Sequence, residues 1–123
     1  MKIAIVGVCA SGKTTLVQGL RAAGFDAYNV AQEHSCVHNF WAKKHPDILV
    51  MIDAKLPAIK KRRLVYWTEE RLVTQHQRLR DARAHADLYL ETDALDATAV
   101  LQRVIAFLKT KEAEKLSGKD GRN

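Results

Sequence analysis

With two cysteines, two prolines and no long apolar run, this 123-residue chain excludes several classes of protein at once. A membrane-spanning helix needs about 20 consecutive apolar residues, and no run approaches that length. A small secreted domain stapled by disulfides usually carries four or more cysteines, so Cys9 and Cys36 do not make a disulfide framework. The chain enters a strand-like segment after one lysine, without the apolar stretch and small-residue cleavage site of a secretory signal. The expected location is cytoplasmic. Apolar residues at 47% and charged residues at 28% are ordinary for a globular protein, so disorder is excluded for the bulk of the chain. Cys36, next to Val37 in an apolar helical pattern, reads as a small buried hydrophobe.

The net charge of +6 is placed in one region. Residues 55–85 hold nine basic side chains (Lys55, Lys60, Lys61, Arg62, Arg63, Arg71, Arg78, Arg80, Arg83) against Glu69, Glu70 and Asp81. The rest of the chain is balanced. A local cationic segment of this kind suits nucleic acid, an anionic surface or a polyphosphate bound nearby.

Strand and helix patterns alternate along the chain. Lys2 to Val6 is apolar on both sides, as a buried parallel strand is. Lys13 to Ala23 has Leu16, Val17 and Leu20 on one helical face, with Gly24 as its stop. Asp26 to Val30 gives a second strand, and His34 to Lys44 a helix carrying Val37, Phe40 and Trp41, ended by His45-Pro46. Ile48 to Ile52 is a third strand. Lys55 to Arg63 begins as a helix with Pro57 early in it, and Thr68 caps another whose stripe is Leu72, Val73, His76 and Leu79. Leu88 to Leu90 is a fourth strand. Asp96 caps a last helix with Val100, Leu101, Val104, Ile105 and Leu108 on its face. From about residue 111 the composition turns polar, which predicts a frayed or disordered tail at 111–123. The fold class is therefore α/β: one domain over residues 1–110, with a small parallel sheet of about four strands flanked by helices.

The first strand runs into Gly7-Val8-Cys9-Ala10-Ser11-Gly12-Lys13-Thr14-Thr15, which fits the phosphate-binding pattern G-x-x-x-x-G-K-[ST]. Glycine permits the positive φ and close approach that such a loop needs. Backbone N–H groups from Gly7 through Thr15, with Ala10 and Ser11 among them, then ring the phosphates at the positive end of a helix. Lys13 reaches the outer phosphates and the Thr14 hydroxyl ligates Mg²⁺. In a parallel sheet, ligands lie beyond the carboxyl ends of the strands. Gln32-Glu33-His34, Asp53 and Asp93 stand at the other strand ends.

On these residues the chain resembles the P-loop nucleotide-binding proteins, and among them small kinases of the shikimate, gluconate and nucleoside or nucleotide kinase type. The resemblance is carried by GVCASGKTTLVQGLRAAG, by HADLYLETDALDATAVLQRVIAFL and by ILVMIDAKLPAIKKRR, covering most of residues 1–108. It implies ATP as the nucleoside triphosphate, Mg²⁺ with it, and a small-molecule acceptor. It also implies a lid at about 55–85, where Arg62 stabilises charge on the transferring group and Arg63 and Arg80 clamp phosphates or stack on the base. Glu33 would take the acceptor's proton or hold a metal-bound water, and Asp53 a Mg²⁺-bound water. His34 is read as solvent-facing.

Three functions follow from these residues. The favoured one is transfer of the ATP terminal phosphate to a small molecule. Only four strands are present and the segment between Trp41 and Ile48 is short, which keeps open a nucleotide-binding module without transfer. A nucleic-acid-associated ATPase or polynucleotide kinase is less favoured, because the basic segment lacks interleaved aromatics beyond Tyr66-Trp67. Ala54 follows Asp53 where many P-loop ATP hydrolases have glutamate, and no Asn-Lys-x-Asp guanine signature occurs.

Overall fold

The computed structural model describes residues 1–8, 12–54 and 69–121. Its strands are β1 (Lys2–Gly7), β2 (Asp26–Asn29), β3 (Ile48–Asp53) and β4 (Leu88–Glu91). Its helices are α1 (Lys13–Ala22), α2 (Glu69–Arg78), α3 (Arg80–His85) and α4 (Ala97–Gly121). All strand pairs are parallel and the order is β2-β1-β3-β4. The fold is α/β, with a four-stranded parallel sheet between helices.

Alternation along the strands divides the core in two. Ile3 and Ile5 of β1, with Ile48, Val50 and Ile52 of β3, face Leu16, Val17 and Leu20 of α1 and Val100, Val104 and Leu108 of α4. Ala4, Val6, Leu49 and Met51 face the opposite layer, where Leu72 of α2, Leu79 at the junction and Ala82 of α3 cover them. Each fully buried aliphatic side chain contributes about 1.5–3 kcal/mol, so the two strands that serve both layers anchor the sheet. They are also the central pair. The chain leaves β1 toward β2 on one side and returns across it to β3 on the other. Between the carboxyl ends of β1 and β3 lies the topological switch point, where a parallel sheet opens its crevice.

Three expectations from sequence are corrected here. Residues 34–44 are not an α-helix; they form single 3₁₀ turns at Gln32–His34 and Phe40–Ala42. The cause is local side-chain competition for backbone groups. Buried Gln32 accepts from Trp41 N–H at 2.8 Å and donates to Val37 C=O at 2.8 Å and Arg78 C=O at 3.1 Å. Ser35 Oγ accepts from Val37 N–H. As a result Cys36 and Val37 are exposed rather than packed.

Leu72 and Gln75 of α2 face inward, followed by Leu79 between α2 and α3, while Val73 faces outward. At the other end of the chain α4 spans Ala97–Gly121. Alanine, lysine and glutamate favour helix, and a Lys111–Glu114 pair at 3.4 Å spans one turn. The Asp96 cap is as the sequence predicts: its Oδ1 accepts from Ala99 N–H at 2.7 Å. The helix expected from Lys55 to Arg63 and the cap at Thr68 lie outside the described residues.

Candidate functional site

The site is assembled at the carboxyl ends of β1 and β3. Gly7 ends β1 and Gly12 precedes α1 with φ +102° and ψ 19°. That left-handed conformation costs an L-residue about 1–2 kcal/mol, which explains glycine at a position where no atom would touch a Cβ. The turn delivers Lys13 as the first residue of α1. Thr14 and Thr15 follow on its exposed first turn. Ala10 and Ser11, with Cys9, lie outside the described residues, as do Arg62 and Arg63.

Lys13 and Glu33 are brought together, as their positions after adjacent parallel strands allow. The Lys13 ammonium donates to Glu33 Oε2, and both side chains are buried. The second carboxylate oxygen, Glu33 Oε1, is also buried and has no hydrogen-bond partner among the described residues. Burying two charges carries a desolvation cost that only good geometry and full hydrogen bonding offset. A buried carboxylate oxygen with no partner among the described residues is uncommon in a folded chain. The 3₁₀ turn carrying Glu33 is tied to the α2 end, because Arg78 Nη1 donates to Glu33 C=O at 3.3 Å and Gln32 to Arg78 C=O. His34 is half exposed, with its Nε2 3.8 Å from Glu33 Oε2.

Asp53 ends β3 on the face that α2 covers. His76 Nε2 lies 2.9 Å from its Oδ1 and 3.2 Å from Oδ2; Tyr89 O–H donates to Oδ2 at 2.6 Å, and Ala54 N–H to Oδ1 at 2.9 Å. A carboxylate offers about four acceptor positions, and most of those on Asp53 are used. The Tyr89 phenol is held well above its ordinary range, first by burial and then by its bond to Asp53. Arg83 lies 4.4 Å above the Tyr89 ring.

Fit to a metal rests on these donors. The Thr14 hydroxyl is exposed on the first turn of α1, 3.5 Å from Asn29 Nδ2, and suits an ion that arrives with phosphate oxygens. No group of three His, Cys, Asp or Glu side chains converges to hold a metal among the described residues. Any ion would therefore depend on nucleotide oxygens and water for most of its ligands.

On the far side of α1, a cavity of about 240 Å³ adjoins the turn at Gly12. Gly12, Thr15 and Leu16 form one wall; Thr92, Leu95 and Val100 form another. Thr92 is buried where β4 leaves the sheet, and its N–H donates to Asp53 C=O at 2.8 Å.

Comparison of the chain with protein-family models and with curated protein sequences gives no match. The geometry therefore stands on its own. It joins Lys13, Glu33 and the turn at Gly12 in one place and puts Asp53 at the neighbouring strand end. Arg80 is exposed at the start of α3; Arg78, two residues earlier, is the arginine that touches the Glu33 turn. Sequence reasoning missed His76 and Tyr89 as partners of Asp53. Strand parity gives a partial signal, since Tyr89 sits on the face shared by Leu49 and Met51. Among the described residues no helix is long and apolar enough to cross a membrane.

Proposed function

We propose that the chain binds ATP with Mg²⁺ at the Gly7–Thr15 turn and transfers the terminal phosphate to a small-molecule acceptor. The observation that carries this reading is the buried Lys13–Glu33 pair behind a left-handed Gly12, with one carboxylate oxygen left without a partner among the described residues. Phosphate oxygens entering the turn compete with Glu33 for the Lys13 ammonium, and charge-assisted bonds to phosphate are strong ones. Glu33, released from Lys13, is then a basic carboxylate beside the phosphate chain.

In the transfer, the acceptor's hydroxyl oxygen bonds to the terminal phosphorus. The bond from that phosphorus to the bridging oxygen breaks, and its electron pair leaves with ADP. Glu33 takes the hydroxyl proton. Thr14 and Asp53 would hold Mg²⁺, Thr14 directly and Asp53 through water, and the ion's chemistry is to neutralise charge on the phosphates. His76 and Tyr89 fix the orientation of the Asp53 carboxylate. The cavity beside Leu16 and Leu95 suits the base of the nucleotide, since it is mostly apolar and opens next to the turn.

The test is direct. Calorimetric titration with ATP and Mg²⁺ should give saturable binding, and a panel of sugars, nucleosides and nucleotides should contain one that is phosphorylated. Lys13→Ala should lose both; unchanged binding in that variant would refute the assignment. A second reading, a nucleotide-binding module without transfer, is favoured by the engagement of Asp53 with His76, Tyr89 and Ala54. Tight ATP binding with no acceptor turned over would select it.

A further inference from the structure

A second cavity, of about 330 Å³, opens along β2 on the sheet face opposite α1. Tyr28, Phe40 and Trp41 supply aromatic walls, and Lys43 and Lys44 stand with them. Asn29 belongs to the same lining and its amide lies 3.5 Å from Thr14 Oγ1, so one end of the cavity adjoins the phosphate turn. No carboxylate is among the described residues that line it.

Three features say what would fit. First, the walls are flat and largely apolar, a surface on which a planar ring stacks. Second, the charged side chains among its lining residues are both cationic, while Asp26 and Asp47 lie near Tyr28 outside that lining. Lys43 Nζ sits 5.0 Å from the Phe40 ring centre and Lys44 Nζ 5.1 Å from that of Tyr28, so both cations are held against the aromatic walls. Third, the Tyr28 hydroxyl is buried and has no hydrogen-bond partner among the described residues. Burial, with Asp26 and Asp47 nearby, raises its pKa and keeps its proton. It is a donor with no acceptor among the described residues, and leaving such a group unpaired costs about 1–3 kcal/mol.

The wall is also fixed in place. Trp41 Nε1 donates to Asp81 Oδ2 at 2.8 Å, and its backbone N–H to Gln32 Oε1. Gln32 precedes Glu33, so the cavity and the proton-accepting carboxylate share one turn.

Resting on the phosphoryl-transfer reading, we propose that this cavity binds the phosphate acceptor and that the acceptor is a planar aromatic or heteroaromatic ring bearing an anionic group. The ring lies among Tyr28, Phe40 and Trp41, and Lys43 and Lys44 bind the anion. A carboxylate on a simple aromatic ring and a phosphate on a nucleoside share this chemistry, and the experiment separates them.

Trp41 is the natural reporter, and Trp67→Phe leaves it the single tryptophan. That protein is titrated with 4-hydroxybenzoate and with AMP, and with their uncharged counterparts phenol and adenosine, while fluorescence is followed. The expected result is saturable change with at least one acid, and binding about tenfold weaker for its uncharged counterpart. Lys43→Ala with Lys44→Ala, both exposed positions, should weaken the acid about tenfold and leave ATP binding unchanged. Whichever acid binds more tightly identifies the source. ATP binding with no response to either acid overturns the assignment of the cavity and leaves the nucleotide reading intact. Equal affinity for acid and uncharged counterpart overturns it as well. Acid binding in a protein that binds no ATP overturns both the acceptor role and the nucleotide reading.

Discussion

Glu33 and Tyr89 show what a single side chain can do at this site. On the proposed reading, the Lys13–Glu33 pair sets two groups needed for transfer against each other until phosphate oxygens intervene. Glu33→Gln keeps the size and a hydrogen-bonding oxygen but removes the charge that holds Lys13. Nucleotide affinity should therefore rise, by about tenfold for one charge-assisted bond no longer competing, while phosphoryl transfer falls by about 10²–10⁴-fold with the loss of the base. Calorimetry and a turnover assay on one preparation check the split; parallel loss of both would show Glu33 acting only as scaffold. Tyr89 gives a pH signature. Its pKa is raised in the folded chain, by burial and then by Asp53, above the ordinary value of 10.0. Its contribution to stability is thus full below about pH 10 and is lost as pH rises through the higher folded value. Urea unfolding at increasing pH above 10 should show a steeper decline for the native chain than for Tyr89→Phe. Equal slopes would mean that the Tyr89–Asp53 bond does not govern this titration. Tyr28 is shifted in the same direction, so the variant keeps part of the slope.

At the scale of elements, the turn from β1 into α1 is where local rules and function coincide. Gly12→Ala introduces no clash, so its cost is conformational, about 1–2 kcal/mol. Chemical denaturation should register that loss, and ATP affinity should fall with it, because relief of the positive φ would move the N–H groups that face phosphate. Stability unchanged from the native chain would contradict the left-handed geometry. This same turn was legible in the sequence, since a strand, a glycine pattern and a helix follow one another without interruption. The four strands were legible for a related reason: each is short, apolar and bounded by turn residues. The stretch 34–44 was not. Its helical spacing of Val37, Phe40 and Trp41 is genuine, but Gln32 bonds to residues 5, 9 and 46 positions away, and no periodicity shows such a side chain. His76 was hidden by the same kind of long-range contact. Helical spacing put it in an apolar stripe, and only the packing of α2 over the β3 face that carries Leu49 and Met51 brings it within 2.9 Å of Asp53.

For the molecule as a whole, the sheet order places every proposed function at one edge of the strands, so ligand and fold are thermodynamically linked. The helices α1 and α4 share one core layer with β1 and β3, and the turn proposed to hold the nucleotide leads directly into that layer. A ligand held by the turn therefore binds only the folded chain. At a hundred times its dissociation constant, such a ligand stabilises by about 2.7 kcal/mol. For a domain of this size that corresponds to a rise of about 10 °C in Tm. Thermal unfolding with ATP and Mg²⁺ in excess should show a rise that grows with the logarithm of ATP concentration. The same scan on Lys13→Ala should show none, although loss of the Glu33 partner will lower its baseline by leaving a buried carboxylate unpaired. Lys13→Ala with Glu33→Gln removes that complication, since no buried charge is left alone. If the double variant regains the baseline Tm yet still fails to respond to ATP, Lys13 acts on the nucleotide and not merely on the fold. A response equal to that of the native chain would place the nucleotide elsewhere on the molecule.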